Sequence, residues 1–259
     1  MLVTLLALGS LATAPAPAVK GSDFNWHKAL AAGKTLEIVG VNGSIDASGT
    51  SGSEVDVSAI KRGRRSDPES VRIEVLEYDD GVTICAVYPT STGKEENECR
   101  AGGKSHMNTR NNDVEVTWTV KVPRGVRFSG RTVNGQVVAE GLTATAQAFT
   151  VNGNITLETS AWGSATTVNG SITARLGRTD WTGEKEFSTV NGGITLDLPA
   201  DASVDVDAST VNGSMATEFP LTIRGRWGPR RMSGVIGQGG RSLSLSTVNG
   251  GLELKKRDR

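Results

Sequence analysis

Histidine, cysteine and aromatic residues are scarce in this sequence of 259 residues. It contains 2 His, 2 Cys and 5% aromatic residues. Because His27 and His106 are its only imidazoles, no spaced set of His and Cys predicts a metal site. The sequence also lacks a phosphate-binding glycine loop, a dinucleotide fingerprint and a nucleophile elbow. We therefore expect no catalytic residues, no cofactor and no metal, in a protein that is not an enzyme.

An excess of charge of either sign is also missing. Lys plus Arg and Asp plus Glu number 28 each, which gives a formal net charge of zero. Without a basic field the chain has no general attraction for nucleic acid or for an anionic membrane. Glycine, in contrast, is abundant at 32 residues. The remaining sequence is rich in Val, Thr, Ser and Ile, which favour strands, so the composition predicts an all-β protein.

The N-terminal segment, residues 1–18, is typical of a secretory signal peptide. An apolar run from Leu2 to Ala14 precedes Ala16-Pro17-Ala18, a cleavage site of the small-x-small type. The mature chain would begin near Val19, would contain no transmembrane segment, and would be periplasmic, secreted or at the cell surface. No Lys or Arg precedes the apolar run, which suggests a start codon further upstream. The alternative is that this segment is buried in the fold.

The only two cysteines, Cys85 and Cys99, lie close together in the sequence. An oxidising compartment would allow a disulfide between them. Such a bridge would stabilise the fold by roughly 3 kcal/mol if it acts through the entropy of the unfolded chain. The alternative is a pair of free, inert thiols.

A Thr-Val-Asn-Gly motif recurs along the chain. Val precedes Asn in all seven copies, Thr precedes Val in all but the first, and an apolar residue such as Ile172 or Ile194 follows three residues after Asn. The central copies are spaced by about 17 to 22 residues, which predicts a repeat architecture. Met232 to Ile236 is interpreted as a degenerate copy, with Ser233 in place of Asn. The intact copies are centred on Asn42, Asn134, Asn152, Asn169, Asn191, Asn212 and Asn249.

Two folds are consistent with this motif. Asn-Gly is the strongest short-range hairpin signal, which would give an antiparallel meander or a propeller. A hairpin, however, gives no reason to repeat Thr-Val before it. In a parallel β-solenoid, identical Asn side chains would form an amide ladder, Val and the later Ile would point inward, and Gly would form the corner. We therefore favour a parallel β-solenoid with rungs of about 17–22 residues.

The stretch between Asn42 and Asn134 differs from the repeats. It contains longer alternating runs, such as Glu54 to Ile60 and Val114 to Val122, which predict longer strands. We expect residues 19–125 to form a β-rich N-terminal cap that contains the first rung and a long-strand insertion. The repeat solenoid would then comprise residues 126–254, and a charged tail, residues 255–259, would protect the last edge.

The Thr-Val-Asn-Gly repeats, the signal segment and the stretch Arg226-Trp227-Gly228-Pro229-Arg230-Arg231 resemble the bacterial putative-adhesin family of unknown function. The resemblance covers roughly Leu36 to Leu254. It implies an extracytoplasmic, single-chain β-solenoid with an adhesive or surface role. The family has no agreed catalytic residues, so the resemblance transfers none to this chain.

Six residues after each Asn, the side chain should point outward. Acidic pairs in this column, Glu140 with Glu158 and Asp197 with Glu218, would repel each other unless a divalent cation or a basic ligand lay between them. Paired acids also suggest a small polysaccharide-active enzyme. The favoured alternative is a solvated face on which Arg175 relieves the repulsion. The column contains Ser48, Glu140, Glu158, Arg175, Asp197, Glu218 and Lys255.

Two further groups of residues could bind a ligand. Trp162 and Trp181 follow the inward strands of successive repeats and could form a flat platform for a sugar or a protein surface, although closing the core is the favoured role. The basic cluster Lys61, Arg62, Arg64 and Arg65 could contact an anionic polymer, although a solvated hairpin loop is the favoured interpretation.

Together these features predict a non-enzymatic, exported, adhesin-like β-solenoid that binds or scaffolds at the cell envelope. Its partner would be an envelope glycan, an envelope polymer or a protein, with no nucleic acid, and the chain is expected to be a monomer. Two alternatives remain, a small polysaccharide-active β-helix enzyme and a purely structural or signalling envelope module.

Overall fold

The structure, a computed structural model, describes residues 20–103, 105–107, 109–225 and 229–257. Within these ranges the protein is all-β, with 21 strands and one 3-10 turn at Pro68–Ser70, which confirms the fold class expected from the composition. No helix in the described part of the chain is long and apolar enough to cross a membrane. The predicted signal peptide and Arg226-Trp227-Gly228 lie outside the described residues.

The strands form two large, mostly parallel, open sheets. Their bounds are β1 (Lys20–Ala29), β2 (Thr35–Val39), β3 (Ile45–Thr50), β4 (Glu54–Gly63), β5 (Arg72–Tyr78), β6 (Gly81–Val87), β7 (Glu115–Pro123), β8 (Arg127–Arg131), β9 (Val137–Leu142), β10 (Ala146–Phe149), β11 (Ile155–Thr159), β12 (Gly163–Thr166), β13 (Ile172–Leu176), β14 (Glu184–Ser188), β15 (Ile194–Pro199), β16 (Val204–Asn212), β17 (Met215–Thr217), β18 (Thr222–Arg224), β19 (Arg230–Ile236), β20 (Ser242–Asn249) and β21 (Leu252–Arg257).

Sheet A contains ten of these strands and sheet B contains eleven. The order across sheet A is β1-β4-β7-β3-β9-β11-β13-β15-β21-β17. From the same end, the order across sheet B is β5-β6-β2-β8-β10-β12-β14-β20-β16-β19-β18. The two sheets therefore run side by side, and the chain passes from sheet B to sheet A once in every repeat.

One repeat forms one rung, which consists of a strand in sheet B, the Asn-Gly corner and the next strand in sheet A. Neighbouring rungs pair in parallel and in register, so that Ile172 lies between Ile155 on β11 and Ile194 on β15. None of the repeat Asn residues has a positive φ, which a type I′ hairpin turn would require. The repeats therefore stack in parallel, and the antiparallel meander is wrong.

The order of the rungs in the stack differs from their order in the sequence. At one end, β20 and β21, the last strands of the chain, lie between the rung β14–β15 and the rung β16–β17. At the other end, β2 and β3 lie between β6 and β7 on one side and β8 and β9 on the other. The first and last repeats of the sequence are therefore enclosed by other rungs.

Two expectations for the C-terminal part are corrected by this order. Ser233 does not belong to a hidden rung, because β19 is antiparallel to β16 and pairs Ser233 with Asp207. The predicted charged tail does not protect an edge either, because β21 extends to Arg257 and lies between β15 and β17. Its Lys255 pairs with Asp197 on β15.

A glycine-rich turn, residues 237–240, carries the chain across the start of β16, from β19 on one side to β20 on the other. Gly237, Gly239 and Gly240 all have φ between 59° and 86°, the left-handed region that glycine adopts readily. The Asp205 side chain accepts a hydrogen bond from the Gly240 amide at 2.9 Å. This turn makes it possible for the last rung to lie inside the stack.

The main core lies between the two sheets and contains the inward side chains of both, including the fully buried Phe187 and Trp118. The predicted disulfide between Cys85 and Cys99 is present. It belongs to a smaller cluster with Val39 and Val87, whose side chains lie on the opposite face of sheet B from the core residues that alternate with them. The disulfide thus attaches the loop after β6 to the outer face of sheet B.

Each corner glycine is required by the close approach of the neighbouring rung. A Cβ atom placed on Gly170 would lie 2.0 Å from the carbonyl oxygen of Gly153. Gly153 and Gly135 show the same relation to the rung before them, with distances of 2.1 Å. Because backbone atoms form these contacts, a side-chain rotation could not relieve them.

We predict that Gly170→Ala lowers the free energy of unfolding by about 1 to 3 kcal/mol, because the added methyl group forces adjacent rungs apart. Gly52→Ala is the matched control. A Cβ atom on Gly52 would meet nothing closer than 3.5 Å, so this variant should be as stable as the wild type. Denaturant unfolding measures both. Equal stability of the two variants would contradict the close contact at the corner.

Candidate functional site

The corners of the rungs form a continuous ladder of asparagine side chains along one edge of the stack. In six of its seven members, Nδ2 donates to the Oδ1 of the neighbouring Asn at 2.8 to 2.9 Å. The Nδ2 of Asn42, at the end of the ladder, instead lies 3.4 to 3.5 Å from the carbonyl oxygens of Val114 and Asn112. The side chains are largely exposed along most of the ladder, and Asn249 lies between Asn191 and Asn212, as the order of the rungs requires. The seven members are, in spatial order, Asn42, Asn134, Asn152, Asn169, Asn191, Asn249 and Asn212.

A second ladder, which the sequence did not predict, is formed by the threonine of the motif. The Thr189 hydroxyl donates to the carbonyl oxygen of Gly170 on the neighbouring rung at 2.8 Å. Every copy that contains Thr has this bond, at 2.8 to 3.0 Å, and every one of these side chains is buried. The threonines are Thr132, Thr150, Thr167, Thr189, Thr210 and Thr247.

The motif valines were expected to point inward throughout, and this expectation is wrong for three of the seven copies. Because successive side chains of an extended segment point to opposite sides, the inward Thr turns the following Val outward. Val41, whose copy lacks Thr, is buried. Val190, Val248 and Val211, on three consecutive rungs, are exposed by 40%, 39% and 42%. We refer to these three residues as the valine stripe.

Tyr88 closes the ladder at the N-terminal end of the stack. Its hydroxyl donates to the carbonyl oxygen of Val114 at 2.8 Å and also lies 3.3 Å from the carbonyl oxygen of Asn42. Burial raises the pKa of Tyr88 well above its usual value, so the phenol remains a neutral donor. The last carbonyl groups of this end are therefore satisfied within the protein.

From Glu158 onward, the outward column on sheet A alternates in charge, because Lys255 lies between Asp197 and Glu218 in the order of the rungs. Arg175 bridges Glu158 and Asp197, with distances of 3.3 Å to each carboxylate. Lys255 lies next to Asp197, so the expected pair of Asp197 and Glu218 does not exist.

The other expected acid pair, Glu140 with Glu158, lies at an irregularity between β9 and β11. A register shift between β9 and β11 places Glu140 and Gly141 together opposite Glu158, while Glu140 pairs across the strands with Ser48. No group of three or more potential metal-binding side chains occurs in residues 20–103, 105–107, 109–225 and 229–257. The ion pairs of Arg175 with Glu158 and Asp197 agree with a solvated face on which Arg175 relieves the repulsion.

The two tryptophans do not form an exposed platform. Trp181 is 2% exposed and donates from its indole nitrogen to the carbonyl oxygen of Ser242 at 3.1 Å. Trp162 is half-buried against the core, and the Lys185 ammonium lies 4.5 Å from the centre of its ring. Trp181 therefore closes the core, and the ring of Trp162 is already in contact with a cation.

The basic cluster divides into one structural residue and three exposed ones. Lys61 points inward, is 7% exposed, and donates to the carbonyl oxygen of Val71 at 3.1 Å. Its ammonium also lies 3.4 Å from the carboxylate of Glu69. Arg62, Arg64 and Arg65 are exposed and line a groove. The sequence favoured a solvated hairpin loop, and this interpretation predicted neither the burial of Lys61 nor the groove.

We predict that Asn169→Ala lowers the free energy of unfolding by about 1 to 3 kcal/mol, because it removes two ladder bonds, to Asn152 and from Asn191. Asn212→Ala is the matched control at the end of the ladder, where one bond, to Asn249, is lost. It should lower the free energy of unfolding by about half as much. Thermal or denaturant melting measures both, and an unchanged stability of Asn169→Ala would contradict a stabilising ladder.

Comparisons with known proteins give structural likenesses of low identity. No protein-family model and no curated protein matches the chain. It is similar to a putative cell adhesion protein from Clostridium sporogenes ATCC 15579, with 13% identity, a TM-score of 0.47, and coverage of 91% of this chain and 100% of that chain. It is also similar to a putative adhesin from Bacteroides fragilis NCTC 9343, with 14% identity, a TM-score of 0.40, and coverage of 90% and 97%.

Proposed function

We propose that this chain is an exported, non-enzymatic β-solenoid that binds a linear envelope polymer, such as a glycan, along the corner of its stack. The proposal assigns residues 1–18 to a signal peptide. The disulfide between Cys85 and Cys99 supports an extracytoplasmic location, because structural disulfides persist in oxidising compartments. The parallel, in-register rungs support the solenoid.

The observation that carries the proposal is the periodic surface formed by the asparagine ladder and the valine stripe. An Asn side chain within the ladder uses one N–H and one lone pair to bond its neighbours, and its amide retains a second N–H and further acceptor capacity. Exposed amides therefore recur at the strand spacing of about 4.8 Å. A polymer with regularly spaced hydroxyl groups could bond successive rungs in the same way.

The valine stripe adds an apolar surface to this row of amides. Val190, Val248 and Val211 follow one another along the stack and directly precede Asn191, Asn249 and Asn212 in the chain. A sugar ring has a face of C–H groups and an edge of hydroxyl groups, so adjacent apolar and amide rows match both parts. The corner is held by bonds between rungs, and binding to it would require little ordering of the protein.

The test is a glycan array probed with the wild type and with the triple variant Val190→Ser/Val211→Ser/Val248→Ser. We expect the wild type to bind a linear glycan and the triple variant to bind it at least about tenfold more weakly, since about 1.4 kcal/mol corresponds to a factor of ten. The valine side chains are partly exposed, so folding should be retained, and melting temperatures check this directly.

The matched control is Ile60→Ser/Ile223→Ser/Val235→Ser, which makes the same kind of change at exposed apolar residues elsewhere, with exposures of 39%, 41% and 57%. This control should bind as the wild type does. Equal losses in both triple variants would remove the corner as the site. Failure of the wild type to bind any glycan would contradict the glycan proposal, and release of reducing sugar from a bound glycan would contradict the non-enzymatic part.

A further inference from the structure

A groove with a volume of about 870 Å³ lies at the N-terminal end of the stack, where β4 ends and β7 begins. One wall is formed by the end of β4 and the turn that follows, residues 62–66. The other wall is formed by residues 111–113, and Glu115 of β7 completes the lining. This end of sheet A is remote from the valine stripe, because β9, β11 and β13 separate it from β15 and β21.

The two walls hold each other in place by reciprocal hydrogen bonds. The Asp113 carboxylate accepts from the backbone amides of Arg65 and Ser66, at 3.1 and 2.8 Å. The Ser66 hydroxyl accepts in turn from the Asp113 amide at 3.1 Å. These backbone bonds lower the pKa of Asp113, so its carboxylate remains charged near neutral pH. The turn that carries Arg64 and Arg65 is therefore fixed before any ligand arrives.

The three arginine side chains of this groove have no partner among the described residues. No hydrogen bond or ion pair within the described part of the chain involves the guanidinium groups of Arg62, Arg64 or Arg65. Some other exposed arginines are paired with carboxylates, whereas Arg110, Arg124, Arg127 and Arg224 form no ion pair with the described residues. Arg72 pairs with Glu74, Arg100 with Glu98, and Arg178 with Asp180, with distances of 2.7 to 3.5 Å.

The two carboxylates in the groove do not neutralise these arginines. Asp113 is directed at backbone amides, as described above. Glu115 lies opposite Arg62 in the strand register but forms no ion pair within 4.0 Å of it. The Lys61 side chain points inward, away from the groove, and donates to the carbonyl oxygen of Val71. The groove therefore has three free guanidinium groups and one carboxylate that is free to oppose them.

A second groove of about 440 Å³ shares Asn111 and Asn112 with the first and adds Lys94 and Arg110 to its lining. Asn111 has a φ of 57°, a left-handed conformation that Asn adopts more readily than most residues other than glycine. The basic surface thus continues beyond the first groove. An extended anionic chain fits this shape better than a single small ion.

We propose that the first groove binds the anionic groups of a linear carbohydrate polymer, carried as phosphate or as carboxylate. A guanidinium group matches both anions, because its planar N–H groups can form two parallel hydrogen bonds to one of them. The net charge of the whole chain is zero, so this attraction is local to the groove and should weaken with added salt. The groove adjoins the Asn42 end of the asparagine ladder, where the Asn42 side chain lies 3.5 Å from the carbonyl oxygen of Asn112, and it lies at the opposite end of the stack from the valine stripe.

The test measures binding of two anionic probes, inorganic polyphosphate and polygalacturonate, with neutral dextran as the negative control. The wild type is compared with Arg62→Gln/Arg64→Gln/Arg65→Gln at about 50 mM and about 300 mM NaCl, which changes the screening length by more than twofold. We expect the wild type to bind at least one anionic probe at low salt. The triple variant should bind it at least about tenfold more weakly, with a smaller salt dependence.

The matched control, Arg72→Gln/Arg100→Gln/Arg178→Gln, removes the same charge from arginines that are already paired. It should bind within about twofold of the wild type. The probe that binds identifies phosphate or carboxylate as the recognised group. Absence of binding to both probes, or equal losses in the two triple variants, would overturn the proposal. The valine stripe variant should bind the anionic probes normally, so failure here is distinguishable from failure of the glycan site at the corner.

Discussion

The close contact between one corner and the next is the constraint on which the rest of the structure depends. At every corner the glycine backbone approaches the preceding rung so closely that a Cβ atom would lie near 2 Å from its carbonyl oxygen. That distance leaves room for no side chain, but it brings the Thr hydroxyl and the Asn amide of each rung within hydrogen-bonding distance of the next. Gly, Thr and Asn therefore form one unit, since replacing any of them disturbs bonds made by the others.

Identical corners also explain why the order of the rungs is free to differ from the order of the sequence. The rung with Asn249 bonds Asn191 on one side and Asn212 on the other with the same geometry as the central rungs. The motif alone therefore does not determine which rungs lie next to each other. Selection comes from parts outside the motif, namely the antiparallel pairing of β19 with β16 and the glycine-rich turn that crosses the start of β16. Antiparallel strands lie at both edges of sheet B and at the β1 edge of sheet A, which limits pairing with other chains there.

Contacts made by the motif between consecutive copies could be predicted from the sequence, whereas the order of the rungs, which depends on parts outside the motif, could not. The spacing of Asn134, Asn152 and Asn169 indicated parallel stacking, because each of these copies contacts the next copy in the chain. The inward role of Thr could have been inferred from its presence in six copies, but hydropathy favoured Val at the buried position. The acid pair of Asp197 and Glu218 could not be judged at all, since the sequence gives no sign that Lys255 would lie between them.

Side chains that stacking leaves free are where binding can occur, and they lie in two different settings. At the corner, the outward valines and the remaining amide groups are free because the inward Thr already provides the contact between rungs. In the groove beside β4 and β7, Arg62 and Arg65 are free because Asp113 is held by backbone amides. A repetitive surface can recognise only what repeats, whereas the groove joins residues from β4, its turn and the segment before β7 that occur once in the chain. We therefore expect the groove to determine which ligand is bound, and the repetitive corner to determine how long a stretch of the ligand is in contact with the protein.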